Sequence, residues 1–229
     1  MRTLSIDIGG SGIKAIVLNE TGEPVTERAR QETPQPAKPA SVSEVIVELV
    51  KTQGAFDRVS VGFPGVVRNG ITETAVNLDP DWQGFNLAAN LEERLGKPVR
   101  VINDADMQGL GAIEGKGVEL VITLGTGFGS GLFLDGKLVP NLEMGHHPFR
   151  SGQTYEEQLG REALDAVGKK RWNRRLEKAI KALGHLFNYD QLYIGGGNTD
   201  RITFELPPRV KIVPNISGLL GGIALWRDG

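Results

Sequence analysis

The sequence predicts an α/β fold, and three observations support this. Short β-type runs alternate along the chain with segments of helical periodicity. Glycine-rich loops follow β-type runs near residues 9, 125 and 195. Glycine is also enriched, with 31 among 229 residues, and the glycines gather beside the β-type runs. Loops of this kind are typical of sites where the backbone approaches a ligand.

Length, charge and cysteine content limit the class of protein. A chain of 229 residues can hold one large or two small domains with a hydrophobic core. The formal net charge of −2 gives no general reason to expect a nucleic acid or a membrane as partner. The absence of cysteine excludes a disulfide framework and a thiolate metal site. The N-terminal residues lack the apolar segment of a signal peptide, so we expect a cytoplasmic protein.

The chain opens with a predicted β-hairpin. Residues 4–8 alternate like a strand, residues 9–12 form a Gly/Ser tip, and residues 13–18 resume as a second strand. Asp7 stands near the end of the first strand. The tip lacks the GxxxxGK[ST] pattern of a P-loop. An ordinary glycine-rich turn and a phosphate-binding turn therefore both remain open.

The segment up to residue 106 alternates predicted helices and strands. Helical periodicity covers residues 41–53 and 87–95, and β-type runs cover residues 59–67 and 99–102. The second of these runs delivers the sequence Asn-Asp-Ala-Asp, residues 103–106, to its C-terminal end. In open α/β sheets ligands bind at that end of the strands.

Residues 121–147 combine a glycine-rich hairpin with a polar cluster. Glycines occupy every second position from Gly125 to Gly131, with Thr126 and Ser130 among them, so backbone N–H groups and hydroxyls can contact phosphate oxygens. Glu143 and His146 follow and could bind the hydroxyls of a small polyol. Phosphate ligands at one end and hydroxyl ligands at the other suggest a sugar kinase.

The rest of the chain adds helices, strands and a basic surface. Helices are predicted over residues 107–113, 154–167, 172–187 and 218–226, and strands over 192–194 and 210–213. Several basic side chains share one face at helical spacing: Lys170, Arg171, Arg174, Arg175 and Lys178. This face could bind a polyanion or could simply be solvated.

Five motifs carry a resemblance to a known family: DIGGSGIKA, VINDAD, TLGTGFGSGLF, EMGHH and YIGGGN. Together they resemble the actin-like ATPase superfamily in its ROK (repressor, open reading frame, kinase) sugar-kinase branch. Within that branch the sequence is most similar to the polyphosphate glucokinases, which phosphorylate glucose with inorganic polyphosphate. Many ROK kinases carry a cysteine-rich zinc motif after the Glu-x-Gly-His segment. Residues 147–154 hold no cysteine here, so we expect no structural zinc.

The resemblance implies a two-domain actin-like/hexokinase (ribonuclease H-like) α/β fold with an interdomain active-site cleft. The small domain would comprise residues 1–105 plus 217–229, and the large domain residues 106–216. Closure of that cleft around the sugar would exclude water as a competing acceptor.

The resemblance also implies the sugar site and its general base. The carboxylate of Asp104 would orient the attacking hydroxyl and accept its proton. The alternative is that Asp104 caps the next helix, although Asp106 is the better candidate for that cap. Glu157 is an alternative to Glu156, and an ordinary surface ion pair is the alternative for Glu143 with His146. The implied sugar-binding residues are Gly65, Asn77, Asn103, Asp104, Glu143, His146 and Glu156.

Phosphate and metal ligands follow from the same resemblance. Asp7 is expected to hold Mg²⁺ through water. Lys14 could contact donor phosphates or could be a solvated strand residue. The implied phosphate ligands are Gly9, Gly10, Ser11, Lys14, Gly125, Thr126 and Gly127, with Lys170, Arg171 and Arg174 for polyphosphate. The segment Gly196, Gly197 and Asn198 resembles the adenosine-side loop of ATP-dependent relatives, so ATP also remains open as donor.

The leading hypothesis is a cytoplasmic, homodimeric polyphosphate glucokinase that acts with Mg²⁺ on the 6-hydroxyl of glucose and supplies glycolysis. The alternative within enzymes is an ATP-dependent hexose, mannose or N-acetylhexosamine kinase of the same branch. A sugar-sensing module is the non-enzymatic alternative. Asp7 and Asp104 together argue against sensing, because sensing alone needs neither a metal nor a base.

Overall fold

The computed structural model describes residues 1–75, 78–214 and 217–226. The chain divides into two compact units, Met1–Gly111 with Ile216–Gly229, and Ala112–Asn215. Each unit has its own five-stranded sheet and its own hydrophobic core. Among the described residues, no helix has the length and apolar character needed to cross a bilayer.

Among its described residues before residue 112, the first unit holds eight strands, three α-helices and a 3₁₀ turn over Pro80–Trp82. The helices are α1 (Pro39–Lys51), α2 (Leu87–Leu95) and α3 (Asp104–Leu110). The strands are β1 (Thr3–Ile8), β2 (Ile13–Leu18), β3 (Ala29–Gln31), β4 (Arg58–Phe63), β5 (Val67–Arg68), β6 (Ile71–Thr72), β7 (Phe85–Asn86) and β8 (Val99–Asn103). The main sheet has the order β3-β2-β1-β4-β8, and β5, β6 and β7 form a small separate sheet.

The predicted N-terminal hairpin is confirmed as the antiparallel pair β1 and β2. Strands β4 and β8 then add in parallel to β1, so their C-terminal ends share one edge with the end of β1. Alternate residues of β1 enter the main core, which also buries Trp82. The indole Nε1 of Trp82 donates to the carbonyl of Ala37 at 2.7 Å, so this large side chain has its polar atom satisfied.

The second unit repeats this strand pattern. Its helices are α4 (Tyr155–Leu159) and α5 (Arg161–Phe187). Its strands are β9 (Val118–Leu124), β10 (Phe128–Leu134), β11 (Lys137–Val139), β12 (Pro148–Arg150), β13 (Gln153–Thr154), β14 (Gln191–Gly195) and β15 (Val210–Ile212). The sheet order is β11-β10-β9-β14-β15, with an antiparallel half from β9 to β11 and a parallel half from β9 to β15.

Two helix predictions were wrong in their bounds. The helix expected over residues 107–113 begins at Asp104 and ends at Leu110. The helix expected over residues 154–167 is interrupted at Gly160, whose extended backbone (φ −64°, ψ 176°) separates α4 from α5. Helix α5 then runs on to Phe187 through a kink at Gly168, where φ is 76°. A side chain at Gly168 would be strained by that positive φ.

The C-terminal segment packs on the first unit. It consists of α6 (Ser217–Leu220) and a 3₁₀ turn over Gly221–Trp226, close to the helix predicted over residues 218–226. The hydroxyl of Ser5 donates to the carbonyl of Leu219 at 2.6 Å. A Cβ at Gly221 would collide with the carbonyl oxygen of Met107 in α3, so this contact requires glycine. The segment therefore supports the helix that begins at Asp104.

Candidate active site

The carboxylate of Asp104 lies at the C-terminal end of β8, as the first residue of α3. Its Oδ1 accepts from the backbone N–H of Ala105 at 2.8 Å, and the side chain is partly exposed. The cap of α3 is Asn103, whose Oδ1 accepts from the N–H groups of Ala105 and Asp106 at 2.8 and 3.1 Å. The expectation that Asp106 would cap the helix was wrong. Because Asn103 supplies the cap, Asp104 is not needed for it.

Asn103 also joins two of the predicted sugar-binding positions. Its Nδ2 donates to the carbonyl oxygen of Gly65 at 3.2 Å. A Cβ at Gly65 would collide with the carbonyl oxygen of Thr74, so the turn after β4 approaches its neighbour too closely for any other residue. A direct contact of Asn103 with sugar stays a prediction, since both ends of its amide bind backbone. Asn77 lies outside the described residues.

The tip of the first hairpin carries the predicted metal and phosphate ligands. Asp7 and Lys14 are cross-strand neighbours, and their side chains form an ion pair at 2.8 Å. The N–H of Gly9 donates to the carbonyl of Gly12 at 3.0 Å and closes the tip, which leaves Gly10 and Ser11 at the apex. Lys14 is therefore held by Asp7 and is not a freely solvated strand residue.

Sequence reasoning missed Arg30 at this tip. It lies on β3 as the cross-strand neighbour of Lys14, and its guanidinium donates to the carbonyl of Ser11 at 3.0 Å. A Cβ at Gly12 would meet that guanidinium at 2.7 Å. The short strand β3 has no clear alternating pattern, so the sequence offers little signal for this placement.

Magnesium fits the Asp7 position in its donor chemistry. Mg²⁺ keeps several waters and commonly binds one or two carboxylates together with substrate phosphates. Asp7 supplies one partly buried carboxylate beside a glycine-rich tip. Within residues 1–75, 78–214 and 217–226, no group of three or more His, Cys, Asp or Glu side chains is arranged to hold a metal. A site here would need phosphate oxygens to complete it.

The second glycine loop connects β9 to β10. The N–H of Gly125 donates to the carbonyl of Gly127 at 3.1 Å. A Cβ at Gly125 would have no neighbour within 4 Å among the described residues, so an anion can approach the backbone there. Thr126 accepts from the N–H of Arg161 at 3.0 Å through its carbonyl, which joins the loop to the start of α5.

The third glycine segment packs directly on this loop. Asn198 is buried, and its Nδ2 donates to the carbonyl of Gly125 at 2.8 Å. Its backbone N–H donates to the carbonyl of Leu124 at 2.9 Å. Gly196 has φ 93° and lies against the backbone of Leu124, where a Cβ would not fit. Asn198 thus supports the phosphate loop, and nucleotide contacts by Gly196, Gly197 and Asn198 stay predictions.

Glu143 and His146 form the predicted polar cluster. Glu143 precedes a 3₁₀ turn over Met144–His146, and its Oε2 lies 3.4 Å from Nε2 of His146. Burial raises the pKa of Glu143, the charge of Glu156 raises it further, and His146 opposes the shift. The two carboxylates therefore lie close enough for their charges to interact, which contributes to the raised pKa of Glu143.

The geometry distinguishes Glu156 from Glu157. Glu157 completes a capping box with Thr154, with hydrogen bonds of 2.8 and 3.2 Å. Glu156 instead accepts from the N–H of Phe128 at 3.1 Å, and a Cβ at Gly127 would collide with its Oε2. Glu156 is thus the member of the pair that faces the glycine loop and Glu143.

The basic face of α5 is solvent-exposed at Lys170, Arg171 and Arg174. None of the ion pairs between described side chains includes these three residues. A row of cations that form no ion pair among the described side chains favours an anionic partner electrostatically.

A duplicated sheet, a glycine-rich hairpin in each unit and a carboxylate at a strand end define a protein of the actin-like ATPase fold. The chain belongs to the ROK family, whose model matches residues 3–160. It is 34% identical to a polyphosphate glucokinase of Mycobacterium tuberculosis strain CDC 1551, across 94% of this chain and 88% of the relative.

Solved structures agree with this assignment. The inorganic polyphosphate/ATP-glucomannokinase of Arthrobacter sp. strain KM matches with a TM-score of 0.89 and 37% identity over 98% of each chain. A ROK glucokinase of Streptomyces griseus, solved with glucose and AMPPNP, matches over 100% of both chains with a TM-score of 0.83. At 22% identity the latter similarity supports the fold alone.

Proposed function

We propose that this chain is a glucokinase that uses inorganic polyphosphate as phosphoryl donor and Mg²⁺ as metal ion. The kinase assignment depends mainly on the Asp104 carboxylate, which is partly exposed at the end of β8. Asn103 caps α3, so Asp104 is not needed for that role. Similarity over 94% of the chain to a protein named polyphosphate glucokinase supports the donor and the sugar. The exposed basic face of α5 supplies the charge that such a donor needs.

In the proposed reaction Asp104 accepts a hydrogen bond from the 6-hydroxyl of glucose and takes its proton as the new bond forms. The bond between that oxygen and the terminal phosphorus forms while the terminal phosphoanhydride bond breaks. The products are glucose 6-phosphate and a polyphosphate shorter by one unit. Glu143, His146 and Glu156 hold the other hydroxyls and orient the sugar.

Donor phosphates bind the two glycine loops in this proposal. Backbone N–H groups of Gly10, Ser11, Thr126 and Gly127 would bind phosphate oxygens. The N–H groups of Gly9 and Gly125 donate within the loops, so these two glycines would contribute close approach of the backbone. Lys14 adds a positive charge beside Asp7. When bound at Asp7, Mg²⁺ would neutralise charge on the phosphate oxygens.

The proposal extends to cellular context. We place the enzyme in the cytoplasm, as a homodimer that supplies glucose 6-phosphate to glycolysis. Light scattering coupled to size exclusion would measure the oligomeric state.

ATP is the second candidate donor. The third glycine segment, Gly196 to Asn198, packs against the Gly125 loop, where a nucleotide's phosphates would lie. The similar Arthrobacter protein is named for both polyphosphate and ATP. An ATP-dependent hexose kinase would keep the same roles for Asp104 and the sugar cluster.

A coupled assay for glucose 6-phosphate compares the donors at equal phosphate concentration. We expect faster turnover with polyphosphate than with ATP. The KM for polyphosphate should rise at least about threefold from 0.1 to 1 M salt, because the Debye length falls from about 10 to about 3 Å. Turnover with ATP alone would mean that the basic face of α5 is only solvated and does not bind the donor. The kinase assignment would be unaffected. The absence of turnover with both donors, for glucose and then for mannose, would favour a sugar-sensing module.

Replacing Glu143 with glutamine should raise Tm and weaken sugar binding. Because the pKa of Glu143 is raised in the native state, the native state binds this proton more tightly than the unfolded chain does. The stability that this proton contributes in acid is lost as pH rises through the native pKa. Glutamine stays neutral, so the Glu143→Gln variant does not lose this stability as pH rises. Its Tm should therefore exceed that of wild type by an amount that grows with pH and vanishes in acid. The KM for glucose should rise about tenfold, as expected for losing hydrogen bonds to a charged group.

The matched control is Glu157→Gln, which removes the same charge from the capping box of α4. Glutamine can keep the capping hydrogen bond but lacks the negative charge that favours a helix N-terminus, so this variant should lower Tm slightly and leave the KM for glucose unchanged. A fall in Tm for Glu143→Gln at neutral pH would contradict the account of Glu143.

A further inference from the structure

Three arginines of the second unit lie near one another, since the charges of Arg150 and Arg171 both act on Arg175, although only two of the three are close in sequence. Arg171 and Arg175 are one turn apart on the same face of α5. Arg150 ends β12, where it is the cross-strand partner of Gln153 in β13. The Oε1 of Gln153 accepts from Nε2 of Gln158, and the carbonyl of Gln158 accepts from Nη1 of Arg175 at 3.2 Å.

This chain of contacts brings Arg150 to Arg175 from a different element. We call Arg150, Arg171 and Arg175 the arginine cluster. Among the ion pairs of the described side chains, none involves a member of the cluster. The Nε of Arg175 is buried and has no hydrogen-bond partner in the part of the chain that the structure describes. Burial and the charges of Arg150 and Arg171 lower the pKa of Arg175.

Three neighbouring guanidinium groups that form no ion pair with a described carboxylate repel one another, and a buried donor without an acceptor adds a further cost. Both costs fall when an anion with several acceptor oxygens binds. Guanidinium groups suit phosphate because their planar fork donates two parallel hydrogen bonds. The cluster therefore has the chemistry of a phosphate-binding site.

The cluster lies within reach of the donor loop. Gln158 is two residues before Gly160, so their Cα atoms are at most about 7 Å apart. The next residue, Arg161, donates its N–H to the carbonyl of Thr126 at 3.0 Å. A linear polyanion with its reacting end at Gly125 and Thr126 can thus extend along α4 to the cluster.

We propose that Arg150, Arg171 and Arg175 form a subsite for an internal phosphate of polyphosphate, away from the phosphoryl group that is transferred. This inference rests on polyphosphate being the donor, and it deepens that proposal by assigning one subsite. It predicts that binding strength depends on chain length, because a short phosphate chain held at the glycine loop leaves the cluster empty.

The first test is Arg150→Gln, since Arg150 is exposed and its replacement should leave the fold intact. We expect the KM for long-chain polyphosphate to rise about tenfold, with kcat within about twofold and the KM values for glucose and ATP unchanged. Calorimetric titration with long-chain polyphosphate should show the same loss of affinity. Titration with pyrophosphate should show no difference from wild type.

Two further variants separate a specific subsite from diffuse attraction. Arg175→Lys keeps the charge but loses the planar fork, so we expect the KM for polyphosphate to rise at least about threefold. Lys181→Gln removes one exposed charge from the same helix outside the cluster and should change that KM by less than about twofold. Equal effects of Arg150→Gln and Lys181→Gln, or no effect of Arg175→Lys, would overturn the subsite.

The outcomes also separate the subsite from the proposed donor. Turnover with polyphosphate that is insensitive to all three variants would overturn the subsite and leave the donor assignment standing. Binding of polyphosphate that depends on the cluster, with turnover on ATP alone, would overturn the donor and keep the cluster as a polyanion site. A parallel rise in the KM for ATP in Arg150→Gln would contradict the subsite, since the cluster would then serve the transferred end. If wild type neither binds nor uses polyphosphate, both proposals fail.

Discussion

Replacing Asp104 with asparagine is expected to lower kcat about 10³-fold and to leave glucose binding within about threefold of wild type. Asparagine has the same shape, and its Oδ1 can still accept from the N–H of Ala105. Helix α3 keeps its cap because Asn103 supplies it. The substitution thus removes the proton acceptor and little else. Coupled assays would measure kcat, and calorimetric titration with glucose would measure affinity.

Asp81→Asn is a suitable control for this experiment. Asp81 also lies at the start of a helical segment of the first unit, the 3₁₀ turn over Pro80–Trp82, and it pairs on the surface with Lys38. Its replacement should leave kcat within about twofold, because surface ion pairs contribute little. If Asp104→Asn retained more than about a tenth of the wild-type kcat, Asp104 could not be the base.

Several features could be predicted from sequence because they are determined locally. The tip between β1 and β2 combines alternating apolar residues with Gly-Gly-Ser-Gly, which leaves a hairpin as the simplest structure. The short apolar run before Asn103 predicts a buried strand, and the polar residues after it then lie at its end. Both predictions concern neighbours in sequence.

One ambiguity could have been resolved without coordinates. Thr154 and Glu157 are spaced as a capping box, which assigns Glu157 to the start of α4 and leaves Glu156 for the site. The same pattern indicates that α4 begins after Thr154. Its early end at Gly160 was missed because apolar residues continue at helical spacing beyond it.

Other features depend on backbone geometry and strand pairing that the pattern of side chains does not signal. Asn103 rather than Asp106 caps α3 because the backbone of Asn103 is extended, with ψ 144°, and side-chain pattern alone does not define that turn. Arg30 reaches Ser11, and Arg150 reaches the face of α5, through strand pairing that three-residue strands do not signal. These positions required the structure.

Of the substitutions proposed for this protein, the replacement of Glu119 is expected to lower the free energy of unfolding most. This buried carboxylate on β9 accepts from the backbone N–H groups of Glu114, Gly115 and Lys116 at 2.7 to 3.0 Å. It also accepts from the hydroxyl of Tyr193 on β14 at 2.9 Å. Glu119→Ala leaves four donors without their acceptor, so we expect a loss of about 4 kcal/mol in the free energy of unfolding.

Two milder variants show how much individual hydrogen bonds of Glu119 contribute to that loss of stability. Glu119→Gln replaces one oxygen with an NH₂ group, which faces at least one backbone N–H and should cost about 2 kcal/mol. Tyr193→Phe removes a single donor and should cost about 1 kcal/mol. The double variant Glu119→Ala/Tyr193→Phe should lose less than the sum of the losses of Glu119→Ala and Tyr193→Phe, because each of these single changes removes the hydrogen bond between the two side chains. Urea denaturation of all four proteins gives this coupling, and a sum that is strictly additive would contradict the shared contact.

The pH dependence of Tyr193→Phe provides a further check with a defined sign. Burial and the neighbouring carboxylate raise the pKa of Tyr193, so the neutral phenol stabilises the native state. That stabilisation is complete below the unfolded pKa of about 10 and is lost as pH rises above it. Wild type should therefore lose stability more steeply than Tyr193→Phe above about pH 10.

The effect of Glu119 on stability should not extend to catalysis. Glu119 precedes Gly125 by six residues of a strand, roughly 20 Å. At a temperature where Glu119→Gln stays folded, kcat should match wild type, because this carboxylate stabilises the unit at the end of β9 opposite the phosphate loop.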